Sequence, residues 1–405
     1  MGTTKQTAPA AWAGVDIGKG HHWVCVIDHE SRVLFSEKVV NDEEQIRVAL
    51  ARVSRCAHTV TWAVDILDTP ADLLLAVLRE AATQVRYVAG RVVNTMSTAY
   101  RGEGKTDARD AFVIAETCRV RRDLPTVEPV TDQSRQLEML VARRADLVAD
   151  RVRLINRLRD LLTSVFPTLE REFNFAHHKG AVVLLTGYAD PQRIRRVGVA
   201  RLTEWLRRRH IREAAALAAR AVAAANAQRI HVPGKDAASA IASELAADIL
   251  ALDERLHRLD TSIAEAFRAH PQAPVIESMP GFGPILGAML LAAVGDFRSY
   301  PTAGHLAAAA GLVPVPNDSG RRVGNLHRPR RYSRTLRHVL YLAAFSSLRT
   351  DGPNKTYYDK KRAAGRTHKQ ALIALSRRRC DVLWALLRDG RCFALQPPAR
   401  PPQAA

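Results

Sequence analysis

Apolar positions along the chain change their period as it proceeds. From residue 11 to 40 they alternate in twos, which predicts three short strands: Trp12–Asp16, His22–Ile27 and Arg32–Val39. Gly14, Gly18 and Gly20 stand near the first turn, and Asp28, His29, Glu30 and Ser31 make the second. Residues 43–55 switch to helical spacing, with Ile46, Leu50 and Val53 on one stripe. Thr59–Ile66 reads as a buried strand, Pro70–Ala82 as a helix, Val85–Ala89 as a strand and Asp107–Val120 as a helix. The order βββαβαβα predicts an α/β domain over 11–125, a mixed sheet with helices packed on it.

The middle of the chain reads differently. Gln133–Phe166 and Lys235–His270 are two long amphipathic helices with apolar residues at steps of three and four. Such a pair suits an antiparallel coiled coil or a dimerisation arm over 131–270; two core helices of a bundle would show the same pattern. Residues 171–232 form a helical insert, rich in Ala and Arg, with no readable chemistry. From Pro274 to 392 the chain is expected to be all-α, and the Pro-rich tail 396–405 to be disordered.

Composition narrows the class. With 405 residues, 47% apolar and 25% charged, the chain is globular and long enough for two or more domains. No uncharged apolar run reaches the length of a membrane span, and the N-terminus lacks the apolar core of a secretory signal. Cys25, Cys56, Cys118, Cys380 and Cys392 are scattered and contain no C-x-x-C pair, which fits a reducing cytoplasm. The net charge of +19 is concentrated. Residues 321–380 hold 17 Lys or Arg against Asp351 and Asp359. Such a block suits nucleic acid, through phosphate contacts, or a merely solvated basic face. Tyr332, Tyr341, Tyr357 and Tyr358 interleave with these charges, either to stack on bases or as half-buried helix residues.

Four acids stand out by position. Asp16 ends the first strand, Asp65 the fourth, and Asp107 and Asp110 lie three apart on one helix face. A strand-end carboxylate in an apolar run is costly unless it is paired or binds a cation. Hard oxygen ligands favour Mg²⁺ or Mn²⁺. Individually, Asp107 could simply cap its helix and Asp110 could pair with Arg109 or Lys105. Farther on, MPGFGPILGAMLLAAVGD has the shape of a helix-hairpin-helix, with Gly281 and Gly283 in a turn whose following helix start could hold a phosphate; a plain αα-hairpin would read the same way. Ser319 lies in N-D-S-G, ideal turn composition.

The βββαβα order with acids at these places resembles the RNase H or RuvC fold. The segment KTDARDA, and later GLVP, the SG pair and LRHVLYLAA, resemble a bacterial insertion-sequence transposase family, the bridge-RNA-guided serine recombinases with an N-terminal DEDD domain. The resemblance covers roughly 11–165 and 274–365. It implies that Asp16, Asp65, Asp107 and Asp110 bind Mg²⁺ or Mn²⁺, with Asp65 standing where the family usually has Glu; Asp68 is nearby. It implies that Ser319 is a nucleophile toward a DNA phosphate. Arg321 and Arg322 could then stabilise the charge that develops there, with Arg328, Arg330, Arg331 and Arg334 binding DNA. It further implies element-end and target DNA and a structured guide RNA as partners, and a homo-oligomer whose active sites combine domains of different protomers, at the bacterial nucleoid. The rival readings are a metal-dependent nuclease or junction resolvase without serine chemistry, an actin-like ATPase suggested by GVDIGKG, and a non-catalytic nucleic-acid-binding protein.

Overall fold

Nine residues, Ala8–Asp16, form β1, the middle strand of a five-stranded sheet ordered β3-β2-β1-β4-β5 in the computed structural model. That structure describes residues 8–67, 69–100, 106–127, 131–230, 232–320 and 323–395. β2 (His21–Ile27) and β3 (Val33–Val40) extend the sheet on one side as an antiparallel meander. After α1 (Glu43–Val53) the chain returns as β4 (Ala57–Val64), parallel to β1; after α2 (Asp72–Glu80) it adds β5 (Gln84–Tyr87), parallel to β4. α3 (Gly90–Ser97) and α4 (Asp107–Val120) close the unit. The expected mixed sheet is therefore present; α3 is an addition that the sequence pattern did not suggest.

Alternation sorts the strands onto two faces. Ala11, Ala13, Val15, Val24, Val26, Trp62 and Val64 point to one side, where they bury Ile46 and Val53 of α1 and Leu74, Val77 and Leu78 of α2. The opposite side carries Trp12, Cys25, Ile27 and Ala63 and is covered by Ala111, Ile114, Ala115 and Cys118 of α4. Gly14 makes that second contact possible. A Cβ there would stand 2.2 Å from the Ala111 carbonyl oxygen and 2.3 Å from the Ala115 nitrogen, so only glycine lets α4 lie directly on β1.

The chain divides into two compact units, Met1–Pro129 and Val130–Ala405. The second is built on α5 (Asp132–Val165), which runs into α6 (Pro167–Glu172), α7 (Lys179–Leu185), α8 (Pro191–Arg207), α9 (Ala214–Asn226) and α10 (Lys235–Arg268). α5 and α10 each have 34 residues, about 50 Å of helix. They pair antiparallel within the chain: Arg144 bonds Asp260 at 2.6 Å, Arg151 bonds Asp253, and Gln133 Nε2 donates to the Ala269 carbonyl at 3.1 Å. The two ion pairs are seven residues apart on both helices, so they fall on one stripe.

Each end of this pair carries its own core. Leu158, Leu162, Phe166, Ala242, Ala246 and Ile249 pack with α6–α9 at one end. α8 bends at Gly198, whose φ is 71°. Leu137, Ile263 and Phe267 pack at the other end with α11 (Ala273–Ser278), α12 (Pro284–Val294), α13 (Ala303–Ala309), α14 (Arg334–Ser346) and α16 (His368–Asp389). α15 (Pro353–Ala363) lies between α14 and α16 in sequence and has no buried residue. The C-terminal region is not all-helical, a correction to the expected fold. Before α14, β6 (Val315–Pro316) and β7 (Leu326–His327) form an antiparallel ribbon. Helix is broken there by Pro314 and Pro316 and by Gly320 and Gly324, both left-handed at φ 54° and 81°.

Candidate active site

The register of the sheet decides where the first two acids go. β1 and β4 pair through Gly14–Ala63 and Val15–Val64, so the next residues along, Asp16 and Asp65, end adjacent parallel strands side by side. Neighbouring strands are about 4.8 Å apart. Both acids share the face of Gly14 and Ala63, the face covered by α4, and both are half-buried.

α4 brings the other two. Its first turn holds Asp107 and Asp110, on the stripe that continues into Ala111, Ile114 and Ala115 against the sheet. The cap is Thr106, whose hydroxyl accepts from the Arg109 nitrogen, so Asp107 is not the capping residue. Its carboxylate instead meets β2: His21 Nε2 donates to Asp107 Oδ2 at 3.2 Å. His21 lies two residues from Trp23, the residue opposite Asp16. All four acids thus occupy one end and one face of the sheet. Asp107 is exposed and Asp110 half-buried. Arg109 reaches the carbonyls of Ser97 and Tyr100, tying the end of α3 to the start of α4. Asp68 and Lys105 lie outside the described residues.

The four carboxylates of this end are oxygen donors of the kind that suits a hard cation, with the His21 imidazole beside Asp107. Among the described residues no three His, Cys, Asp or Glu are gathered closely enough to form a ready-made ligand set. Thiolate chemistry is disfavoured at the buried cysteines. Burial pushes the Cys25 and Cys118 thiols up to about 11 and the Cys380 thiol up to about 12.

His21 is the functional candidate that sequence reasoning missed. Its signal was two histidines opening a strand directly after the glycine turn that follows Asp16. At the far end of α4, Glu116 is a structural counterpart. Buried, it accepts from Arg119 at 2.6 Å and from the Ser31 hydroxyl at 2.8 Å, clipping α4 to the β2–β3 turn. The Arg119 guanidinium holds its carboxyl below the usual range.

Ser319 sits in the connection of the β6–β7 ribbon and is exposed. The connection is braced across its base: the Asn317 nitrogen donates to the Asn325 carbonyl at 2.8 Å, and the Asn325 nitrogen to Asp318 Oδ1 at 2.9 Å. Asp318, the acid beside Ser319 in sequence, is therefore engaged with the opposite strand. Val323 on the same ribbon is 86% exposed. Arg321 and Arg322 lie outside the described residues, as does the tail 396–405.

Arg328, Arg330, Arg331 and Arg334 are all exposed where the ribbon joins α14. The tyrosines among the charges are half-buried and engaged with their own chain, the second of the two readings their spacing allowed. The Arg328 guanidinium bonds the Tyr332 hydroxyl and draws that phenol below its usual range. Arg378 lies 5.2 Å from the Tyr357 ring, and the Tyr358 hydroxyl meets His368 Nδ1 at 2.6 Å. The hairpin of α11 and α12 faces inward at Gly281, whose φ is 90° and whose Cβ would meet the Ala343 carbonyl oxygen at 2.2 Å. Gly281 thus serves the packing of that turn on α14, while Gly283 caps α12 with open space beside it.

Comparison with known proteins assigns the chain to a family. Residues 13–167 match the model of DEDD transposases of the IS110 type, described as Transposase. Residues 273–359 match that of the Transposase IS116/IS110/IS902 family. The "Insertion element IS116 uncharacterized 44.8 kDa protein" of Streptomyces clavuligerus is 52% identical over 96% of this chain and 97% of its own. The "Insertion element IS900 uncharacterized 42 kDa protein" of Mycobacterium paratuberculosis is 46% identical over 94% and 96%. A solved chain of T. thermophilus RuvC, in complex with Holliday junction substrate, is similar over 29% of this chain and 99% of that one, at 18% identity and a TM-score of 0.23, too slight a likeness to bear on geometry. With both halves matched and near-full-length relatives at such identity, the chain belongs to the IS116/IS110/IS902 family of transposases.

Proposed function

We propose that this transposase recombines DNA through Ser319, assisted by Asp16, Asp65, Asp107 and Asp110 holding Mg²⁺ or Mn²⁺. The enzyme class itself, cleavage and transfer of DNA strands, follows from the family. The observation that carries the proposal is the register: Asp16 and Asp65 end paired strands on the face where α4 presents Asp107 and Asp110. DEDD-type nuclease folds generally use a divalent metal, which would neutralise charge on the scissile phosphate and its leaving oxygen. His21 orients Asp107.

Ser319 Oγ loses its proton as it attacks phosphorus. The bond to the leaving sugar oxygen breaks and that oxygen takes up a proton. The resulting phosphoserine ester preserves the backbone bond energy for rejoining, when a DNA hydroxyl attacks and the serine departs. Exposure of Ser319 on a projecting ribbon suits a nucleophile that must reach into a duplex. The same reading includes a structured guide RNA that pairs with element and target DNA, and an oligomer assembled with the help of α5 and α10.

The test uses an element-end duplex. Unaltered protein should yield a covalent protein–DNA adduct resistant to denaturant, and Ser319→Ala should yield none. Strand cutting that persists undiminished in Ser319→Ala would instead establish a nuclease or junction resolvase working through the acids alone.

A further inference from the structure

Residues 193–229 carry ten arginines against Glu204 and Glu213. The proposed chemistry uses none of them. α8 and α9 turn Ile194, Leu202, Leu206, Leu217 and Ala221 into the core at their end of the helix pair, which leaves the arginines outside except Arg195, half-buried against the Ala225 carbonyl. They concentrate where α8 joins α9. Arg201, Arg207, Arg208, Arg209, His210 and Arg212 are all exposed there.

This corner is fixed in shape. His210 adopts the left-handed conformation at φ 58°, and the chain closes with the His210 nitrogen donating to the Arg207 carbonyl at 2.9 Å and that of Ile211 to the Leu206 carbonyl at 3.2 Å. The Arg209 guanidinium lies 3.7 Å from the Trp205 ring centroid, and Trp205 is held edge-on by Tyr188 at 5.0 Å. Arg208 is balanced by Glu204 at 3.1 Å. Arg201, Arg207 and Arg212 have no ion pair among the described residues. Clustered cations without local compensation attract a polyanion.

The corner belongs to the core formed around Leu158 and Leu162, whereas the exposed C-terminal arginines belong to the region packed around Leu137. Along α5, the stretch from Leu137 to the turn between Leu158 and Leu162 spans about 35 Å at 1.5 Å per residue. One turn of duplex DNA is about 34–36 Å. The two cores attach to α5 at that separation, and a duplex is stiff enough over this length to lie along both lobes.

We propose that the α8–α9 corner is a second DNA-binding surface, gripping duplex phosphates about one helical turn from those engaged by the C-terminal arginines. This rests on DNA being the partner of that C-terminal block. The experiment measures duplex affinity by fluorescence anisotropy across a salt series, on the full chain, with a duplex of about 25 base pairs. The variant is Arg201→Ala/Arg207→Ala/Arg212→Ala, three exposed positions whose substitution should leave the melting temperature unchanged.

The expected result is a slope of log K against log salt shallower by about 0.9 for each phosphate no longer neutralised, with affinity reduced about tenfold or more at low salt. On a duplex of about 8 base pairs, too short at 3.4 Å per pair to reach both lobes, the variant's loss of affinity should shrink, because each lobe then binds on its own. An unchanged slope on the long duplex overturns the proposal while leaving the serine mechanism intact. So does a weakening seen only with RNA. Failure of the unaltered chain to bind any duplex would bring down the parent reading as well.

Discussion

The acidic end of the sheet and the serine ribbon are built on opposite principles. Asp16, Asp65, Asp107 and Asp110 are placed by a packed interior: strand register sets two, and a helix lying on Gly14 sets two. Ser319 is placed by almost nothing beneath it. Residues 314–320 and 323–328 are all exposed, and the connection is braced by hydrogen bonds across its own base. A cation site needs several oxygens held against mutual repulsion, which demands a rigid frame. A nucleophile needs access first, and its final orientation can be imposed by the substrate it enters.

The sharpest way to break this comparison is Ser319→Ala. Recombination should fall by about 10³-fold or more, with no change in melting temperature because the side chain buries nothing. Asp16→Asn and Asp110→Asn should follow at about 10²- to 10³-fold, read as strand cleavage across a Mg²⁺ titration. An effect of either that excess metal removes would locate the defect in cation affinity.

Gly14→Val separates frame from chemistry. With a Cβ forced against the Ala111 carbonyl, unfolding free energy should drop by about 3 kcal/mol or more, and activity should vanish with the fold. Chemical denaturation followed by circular dichroism measures it. A smaller effect comes from His22, fully buried on the other face of the sheet, where burial lowers its pKa. The folded state resists protonating it while the unfolded chain accepts a proton near pH 6.5. Stability should therefore be complete above that pH and decline below it, by at most about 1.4 kcal/mol per pH unit. His22→Leu should flatten this part of the urea midpoint profile. Least of all, Val323→Ser should leave the unfolding free energy within about 0.5 kcal/mol of the original in the same denaturation assay, since this valine is solvated.

Much of the acidic end was legible from the chain itself. The α4 boundaries, Asp107–Val120, agree residue for residue, because a threonine cap and a regular apolar stripe define them locally. Placing Asp65 beside Asp16 needed the strand pairing, which no local pattern carries. The ribbon was missed for a related reason: two-residue strands lie below the length at which alternation can be seen, so Val315–Pro316 was absorbed into a region expected to be all-α. The tyrosines were left with two readings because interleaving with arginine along the chain looks alike whether the partner is a base or a neighbouring guanidinium. The arginines of the α8–α9 corner were visible as composition and invisible as a patch, since only folding separates them from the apolar residues among them.

The antiparallel register of α5 and α10 has a consequence for folding. Because Arg144 meets Asp260 and Arg151 meets Asp253, everything between these helices departs from and returns to one place. The α6–α9 lobe closes its core on that base, sharing Leu158, Leu162, Ala242 and Ala246 with the helix pair. Opening the lobe therefore strips apolar cover from the helices that carry it, so lobe and pair should melt as one cooperative unit.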